Sequence, residues 1–178
     1  MLVNYALANW KQQGQTDLAT IRKFHPETVA NYVTLCIKLG LPIDWNALQV
    51  IPENLDFPGS GYRDHAFDPA VKNSPHNFAI ALDICVSPLS ARIMANRLTI
   101  LNEQIRWITA AQGIFTGCGF YPFQNTIHLD IRTPEWMAQY RGTPYWVKDP
   151  TSANVYKGFY ILGEAISWAK VVSQKAAA

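Results

Sequence analysis

Thr126-Ile127-His128-Leu129-Asp130-Ile131-Arg132 alternates apolar and polar side chains without a break. Neighbouring side chains on a strand point to opposite faces. Ile127, Leu129 and Ile131 then share one face, and His128, Asp130 and Arg132 share the other. The segment is predicted as a strand with its apolar face on a core. The opposite face is wholly ionisable, and His, Asp and Arg in register fit the floor of a site. The plain alternative is an exposed strand with an incidental salt bridge.

Working outward, Phe115 to Phe123 holds Gly117, Gly119 and Pro122 and is expected as a turn-rich strand region. Residues 89–112 carry the longest helical pattern, with Ile93, Leu98, Leu101, Ile105 and Ile108 at supporting spacing. Ala79 to Val86 is a short apolar run, expected as a buried strand. Residues 52–75, rich in Pro, Gly, Asn, Asp and Ser, are expected as a long functional loop. After Pro26, the recurrence of Val29, Tyr32, Val33, Cys36, Ile37 and Leu39 predicts a helix that Gly40 and Pro42 end. A further helical turn is expected at Asp44 to Leu48, and weak helices at 2–13 and 17–24. Residues 133–158 are expected as loop and 159–172 as a last helix. Helices and strands mix without a βαβ rhythm. The expected class is α+β, a small, mainly antiparallel sheet flanked by helices.

A length of 178 residues sets one domain, 1–178. The 49% hydrophobic content supplies a core and excludes intrinsic disorder. A formal charge of +2, with no run of Lys and Arg, excludes a polybasic nucleic-acid binder. No window of about 18 apolar residues is present, so no membrane-spanning helix is expected. Cys36, Cys85 and Cys118 are too few and too widely spaced for a disulfide framework or a zinc knuckle. Six Trp and eight Tyr suit either a Trp-rich core or a surface facing sugar or a partner.

An Asp inside an apolar run, such as Asp83, is costly to bury unless paired or bound to a metal. His76 stands seven residues earlier, with the opposite strand parity. The chain must turn or bulge between them for both to meet one point. Together with His128 they offer two imidazoles and one carboxylate, a ligand set suited to catalytic zinc. Zinc would bring a water's pKa toward about 7 and polarise a peptide carbonyl.

Ser60-Gly61-Tyr62-Arg63, Ser74-x-His76, Asp83-Ile84, Gly117-x-Gly119-x-Tyr121 and His128-x-Asp130-x-Arg132 occur in one order. This series resembles the zinc D-alanyl-D-alanine carboxypeptidase family of the hedgehog/DD-peptidase fold. It is most similar to the branch with Ser-Gly-Tyr-Arg, Ser-x-His-x-x-Gly-x-Ala-x-Asp-Ile and His-Val-Asp-Val-Arg blocks. The resemblance covers about residues 57–148. It implies that His76, Asp83 and His128 ligate zinc, and that Arg63 binds substrate and steadies the oxyanion. It also implies that Asp130 orients a ligand His or handles protons. Ser74, Tyr121 and Trp146 are expected at the substrate. Two positions depart from the pattern. Ala79 replaces the family Gly, and Asn125 stands where related enzymes place an acidic general base. Asp130 is favoured for that task, with Glu103, Glu135 and Asp64 as alternatives.

The expected function is hydrolysis of a stem-peptide bond of bacterial peptidoglycan, as a carboxypeptidase or an endopeptidase of endolysin type. A non-catalytic cell-wall-binding or structural module on the same fold is the first alternative. A thiol hydrolase built on Cys118 and His128 is the second. The N-terminus lacks the features of a signal peptide. The expectation is a protein made in the cytoplasm that acts at the cell wall, as a phage lysin or a component of a phage-tail-like assembly. His65 is expected as a solvated loop residue, His25 as a structural one, and Trp136, Tyr140 and Tyr145 as either groove or core.

Overall fold

A computed structural model of the chain describes residues 7–8, 24–41, 74–86, 97–124, 126–134, 136–137, 142–149, 151 and 155–175. Helix α1 (Pro26–Leu39) follows from its punctuation. The His25 ring accepts a hydrogen bond from the Glu27 N–H at 3.3 Å, capping the first turn. Pro26 takes the position where its missing N–H costs nothing. Gly40 ends the helix in the left-handed region, at φ 67°. Glu27 in the first turn and Lys38 in the last both complement the helix dipole.

Strand β1 (Leu7–Ala8) opens a six-stranded sheet. It corrects the expected helix over 2–13 at those two residues; the rest of that segment, residues 17–23 and Asp44–Leu48 lie outside the described residues. β2 (Ala81–Cys85) and β4 (Thr126–Asp130) fall inside the two predicted strands. β3 (Gly117–Phe120) is a regular strand despite its glycines. β5 (Tyr145–Lys148) and β6 (Tyr156–Phe159) correct the expected loop over 133–158. The sheet order is β1-β2-β4-β3-β5-β6, with β3–β5 its one parallel pairing among the described strands. Helix α2 (Arg97–Ala111) forms the described part of the predicted 89–112 helix, and α3 (Leu162–Lys175) is the last helix. The class is α+β.

The sheet divides its two faces by alternation. Leu82, Ile84, Cys118, Phe120, Ile127, Leu129 and Val147 point into one core. The three helices meet them there with Tyr32, Leu35 and Cys36 from α1, Leu101, Trp107 and Ile108 from α2, and Ala165 and Ala169 from α3. Full burial of such a side chain stabilises by roughly 1.5–3 kcal/mol, so this face holds the fold together. Among the described tryptophans only Trp107 is fully buried in it. The other face carries Asp83, His128 and Asp130. No helix among the described residues is long and apolar enough to cross a membrane.

Candidate metal centre

Asp83 and His128 are direct partners across the β2–β4 pairing. Alternation turns both toward the face away from the helices. His76 arrives from a 3₁₀ turn (Pro75–Phe78) just before β2. The Ser74 hydroxyl accepts from the His76 N–H at 3.4 Å and starts that turn. Ala79 ends it at φ 57° and ψ 28°, the left-handed conformation that favours glycine. The turn solves the parity problem between His76 and Asp83.

The turn is also clamped. The Ala79 carbonyl accepts from the His25 N–H at 3.0 Å and the Thr28 hydroxyl at 3.4 Å, which ties it to the start of α1. The Ile131 N–H donates to the Ile80 carbonyl at 3.0 Å, which ties it to the end of β4.

The three side chains converge. His76 Nε2 lies 3.1 Å from His128 Nδ1 and 3.5 Å from Asp83 Oδ1. His128 Nδ1 lies 3.0 Å from Asp83 Oδ1. Two ligands about 2.0–2.1 Å from a tetrahedral ion stand about 3.3 Å apart. The triangle therefore has the size of one face of such a tetrahedron, and the triad could hold a metal ion. The donor set, two imidazoles and a carboxylate, suits a borderline divalent cation.

The far side of His128 is equally fixed. Its Nε2 lies 2.9 Å from Asp130 Oδ2. Arg132 Nε donates to both Asp130 oxygens, at 2.8 and 3.0 Å, and its terminal nitrogen donates to the Thr143 carbonyl at 2.6 Å. Asp130 is fully buried. A carboxylate that accepts the second ring N–H of a ligand histidine fixes its tautomer and orientation. Asp130 stands across the ring from the converging atoms, so it positions His128. Of the two parts expected of Asp130, this contact is the one that orients a histidine.

Charge follows from this packing. Burial pushes the Asp83 carboxyl up, but the His76 and His128 imidazoles outweigh it and hold it well below the usual carboxylate range. Burial pushes the His128 imidazole down, but Asp130 and Asp83 prevail and bring it up to about 9. Burial likewise opposes ionisation of Asp130, and His128 and Arg132 overcome it, leaving its carboxyl low.

Gly119 pairs with His128 on one side and with Trp146 on the other. A Cβ on Gly119 would collide with the Trp146 indole, so the bare glycine lets that ring lean toward His128, centroid to centroid 5.3 Å. A Cβ on Gly117 would collide with the Asp130 carboxylate. The Gly-x-Gly motif thus clears the sheet surface for two neighbours of His128. Trp146 is braced edge-on by Tyr121 at 5.1 Å and Tyr156 at 5.2 Å.

Of the residues expected at the site, the structure brings together His76, Asp83, His128, Asp130, Tyr121 and Trp146. Ser74 lies beside them as the cap of the His76 turn. Arg63, Asp64, His65, Asn125, Glu135 and Tyr140 lie outside the described residues. Glu103 is on α2 and pairs with Arg106 at 3.1 Å, on the helical side of the sheet. Cys118 sits opposite Leu129 in the apolar face, and burial pushes its thiol far up. That corrects the thiol-hydrolase alternative, because Cys118 faces away from His128. Tyr156 and Lys148 were not foreseen; their only signal was proximity in sequence to Trp146.

No family model matches the chain, and neither a curated protein nor a solved structure does.

Proposed function

We propose that the chain is a zinc-dependent peptidase that hydrolyses a stem-peptide bond of bacterial peptidoglycan. The observation that carries this reading is the triangle of His76 Nε2, Asp83 Oδ1 and His128 Nδ1, with edges of 3.0–3.5 Å. Three protein ligands leave a coordination position open, the pattern of catalytic rather than structural zinc. The sequence blocks that resemble the D-alanyl-D-alanine carboxypeptidases supply the substrate class and the hedgehog/DD-peptidase fold. The α+β sheet with its site on one face is compatible with both.

Zinc held by the triad would supply Lewis-acid polarisation of a carbonyl and acidification of a water. The chain's own residues prepare the place. Asp130 keeps the His128 proton on Nε2 and the lone pair on Nδ1, facing His76 and Asp83. Arg132 holds Asp130 from behind, while Trp146 and Tyr121 wall the side of the site beyond Gly119. Arg63 is assigned the oxyanion by the resemblance, a task that suits an always-charged guanidinium. A phage lysin or a component of a phage-tail-like assembly is the proposed setting.

A second reading rests on Asn125, an amide where related enzymes carry the general base. On that reading the domain binds cell wall without cutting it. Mass spectrometry of peptidoglycan fragments, incubated with the zinc-loaded protein with and without a chelator, separates the two. Chelator-sensitive loss of D-Ala, or a cut stem or cross-bridge, is expected. His128→Ala should remove zinc and turnover together, and Arg63→Ala should keep zinc and lose turnover. Intact fragments from several wall types, with zinc bound, would overturn the peptidase reading in favour of the binding module.

A further inference from the structure

The face that carries the triad holds a second feature, one row of the sheet away. Lys148 follows Trp146 by two residues on β5, so both side chains stand on that face. Its cross-strand partner is Tyr156. The Lys148 ammonium lies 5.4 Å from the Tyr121 ring centroid and 5.9 Å from that of Tyr156. Tyr156 is 55% exposed, so this end of the aromatic strip is open to solvent.

Two cations occupy this face among the described residues, and their circumstances differ. Arg132 is spent on Asp130 and the Thr143 carbonyl. Lys148 has no carboxylate within ion-pairing distance among the described residues. A second observation lies in the same row. Phe120 pairs with Ile127, so the next step places Tyr121 level with Thr126. The Thr126 hydroxyl belongs to a residue only 4% exposed and has no hydrogen-bond partner among the described residues. A buried hydroxyl left unpaired is costly, and ring faces attract an ammonium without supplying it a counter-ion.

We propose that Lys148, framed by Tyr121 and Tyr156, is the subsite for a carboxylate of the peptide bound over the triad. This rests on the peptidase reading for the identity of that peptide. Strand spacings put the His128 and Lys148 Cα atoms roughly 12 Å apart. An extended peptide covers that span in three or four residues. The aromatic strip between them supplies apolar walls along the way. The recognised group is then an anionic carboxylate within a few residues of the bond over the triad. In a stem peptide with lysine as its third residue, the kind used in the test, that carboxylate is either the C-terminal one or the one on the glutamate residue.

The test uses the zinc-loaded full chain and three synthetic stem pentapeptides: the free acid, the C-terminal amide, and the free acid with its glutamate carboxylate amidated. Affinities are measured by calorimetric titration for the wild type, Lys148→Gln and Lys148→Arg. Loss of a charge-assisted hydrogen bond should weaken binding about tenfold or more. The wild type should bind one of the two amidated peptides that much more weakly than the free acid, and which one identifies the carboxylate. Lys148→Gln should abolish the difference and Lys148→Arg should keep it. Equal affinity of the wild type for all three peptides would overturn the subsite without any variant being needed. Hydrolysis with a KM indifferent to Lys148 would overturn the subsite and leave the peptidase reading standing. Lys148-dependent binding without hydrolysis would do the reverse.

Discussion

Gly119 lies directly beneath the indole of Trp146, and the space a Cβ would need is filled by the ring. Because Gly119 is also the cross-strand partner of His128, this bare position links the aromatic strip to the candidate metal site. Gly119→Ala would have to push the indole off the sheet, against Tyr121 and Tyr156. Overpacking of this kind costs about 1–3 kcal/mol. The expected outcome is a loss of stability of that size in urea melts, read as a lower midpoint, with changed tryptophan fluorescence and near-normal zinc affinity. An unchanged midpoint would mean that Trp146 does not rest where the structure has it.

Asp130 and Arg132 are buried together behind His128, and neither touches the converging ligand atoms. Asp130→Asn keeps the shape but removes the charge that holds the imidazole. Losing such an outer partner costs about 10–100-fold in metal affinity. It also leaves the Arg132 guanidinium buried without its counter-ion, a loss of about 3–5 kcal/mol when one member of a buried pair goes. Competitive zinc titration and thermal melts of the metal-free protein should show both losses. Wild-type zinc affinity in a folded Asp130→Asn variant would remove Asp130 from its positioning role.

The pH dependence follows from the same cluster. His128 is raised to about 9 in the metal-free fold, above its unfolded value of about 6.5. Its contribution to stability is fully present below about pH 6.5 and is lost as pH rises through about 9. Asp83 and Asp130 are lowered, so theirs is present above the ordinary carboxylate range and lost as pH falls below it. The metal-free protein should therefore be most stable in mildly acidic to neutral solution. Zinc must displace the His128 proton, so its affinity should rise about tenfold per pH unit from 6.5 toward 9. Titrations at pH 6.5, 7.5 and 8.5 check this; a flat profile would show that no proton leaves.

How much of this was legible depended on how local the cause was. The alternation of residues 126–132 carried both faces of β4, since one apolar and one ionisable set cannot be exchanged without slipping the register. α1 was legible because His25, Pro26 and Gly40 are local punctuation. β5 and β6 were not. Each is four residues long, and their pairing with β3 and with each other is decided by tertiary contact. Gly117 and Gly119 suggested turns, because glycine's usual use is conformational freedom; here they are strand residues that yield space to Asp130 and Trp146. That His76, Asp83 and His128 could serve one metal was readable from residue types; their convergence was not, because it depends on the turn at Ala79.

That turn gives the last prediction. Ala79 holds φ 57°, a conformation that costs an L-residue with a Cβ about 1–2 kcal/mol. Hydrogen bonds to its carbonyl from the His25 N–H and the Thr28 hydroxyl keep it there. Ala79→Gly removes the steric cost but frees the unfolded chain, which takes back about 0.4–1 kcal/mol. The net expectation is a gain of about 0–1.6 kcal/mol with zinc affinity unchanged. Ala79→Val should go the other way, since a β-branched residue is a genuine outlier at positive φ. It should also weaken zinc binding, because His76 is carried by the same turn. Urea melts and zinc titrations of both variants decide the matter: a less stable glycine variant, or a valine variant with undisturbed zinc binding, would show that the left-handed turn at Ala79 does not set the position of His76.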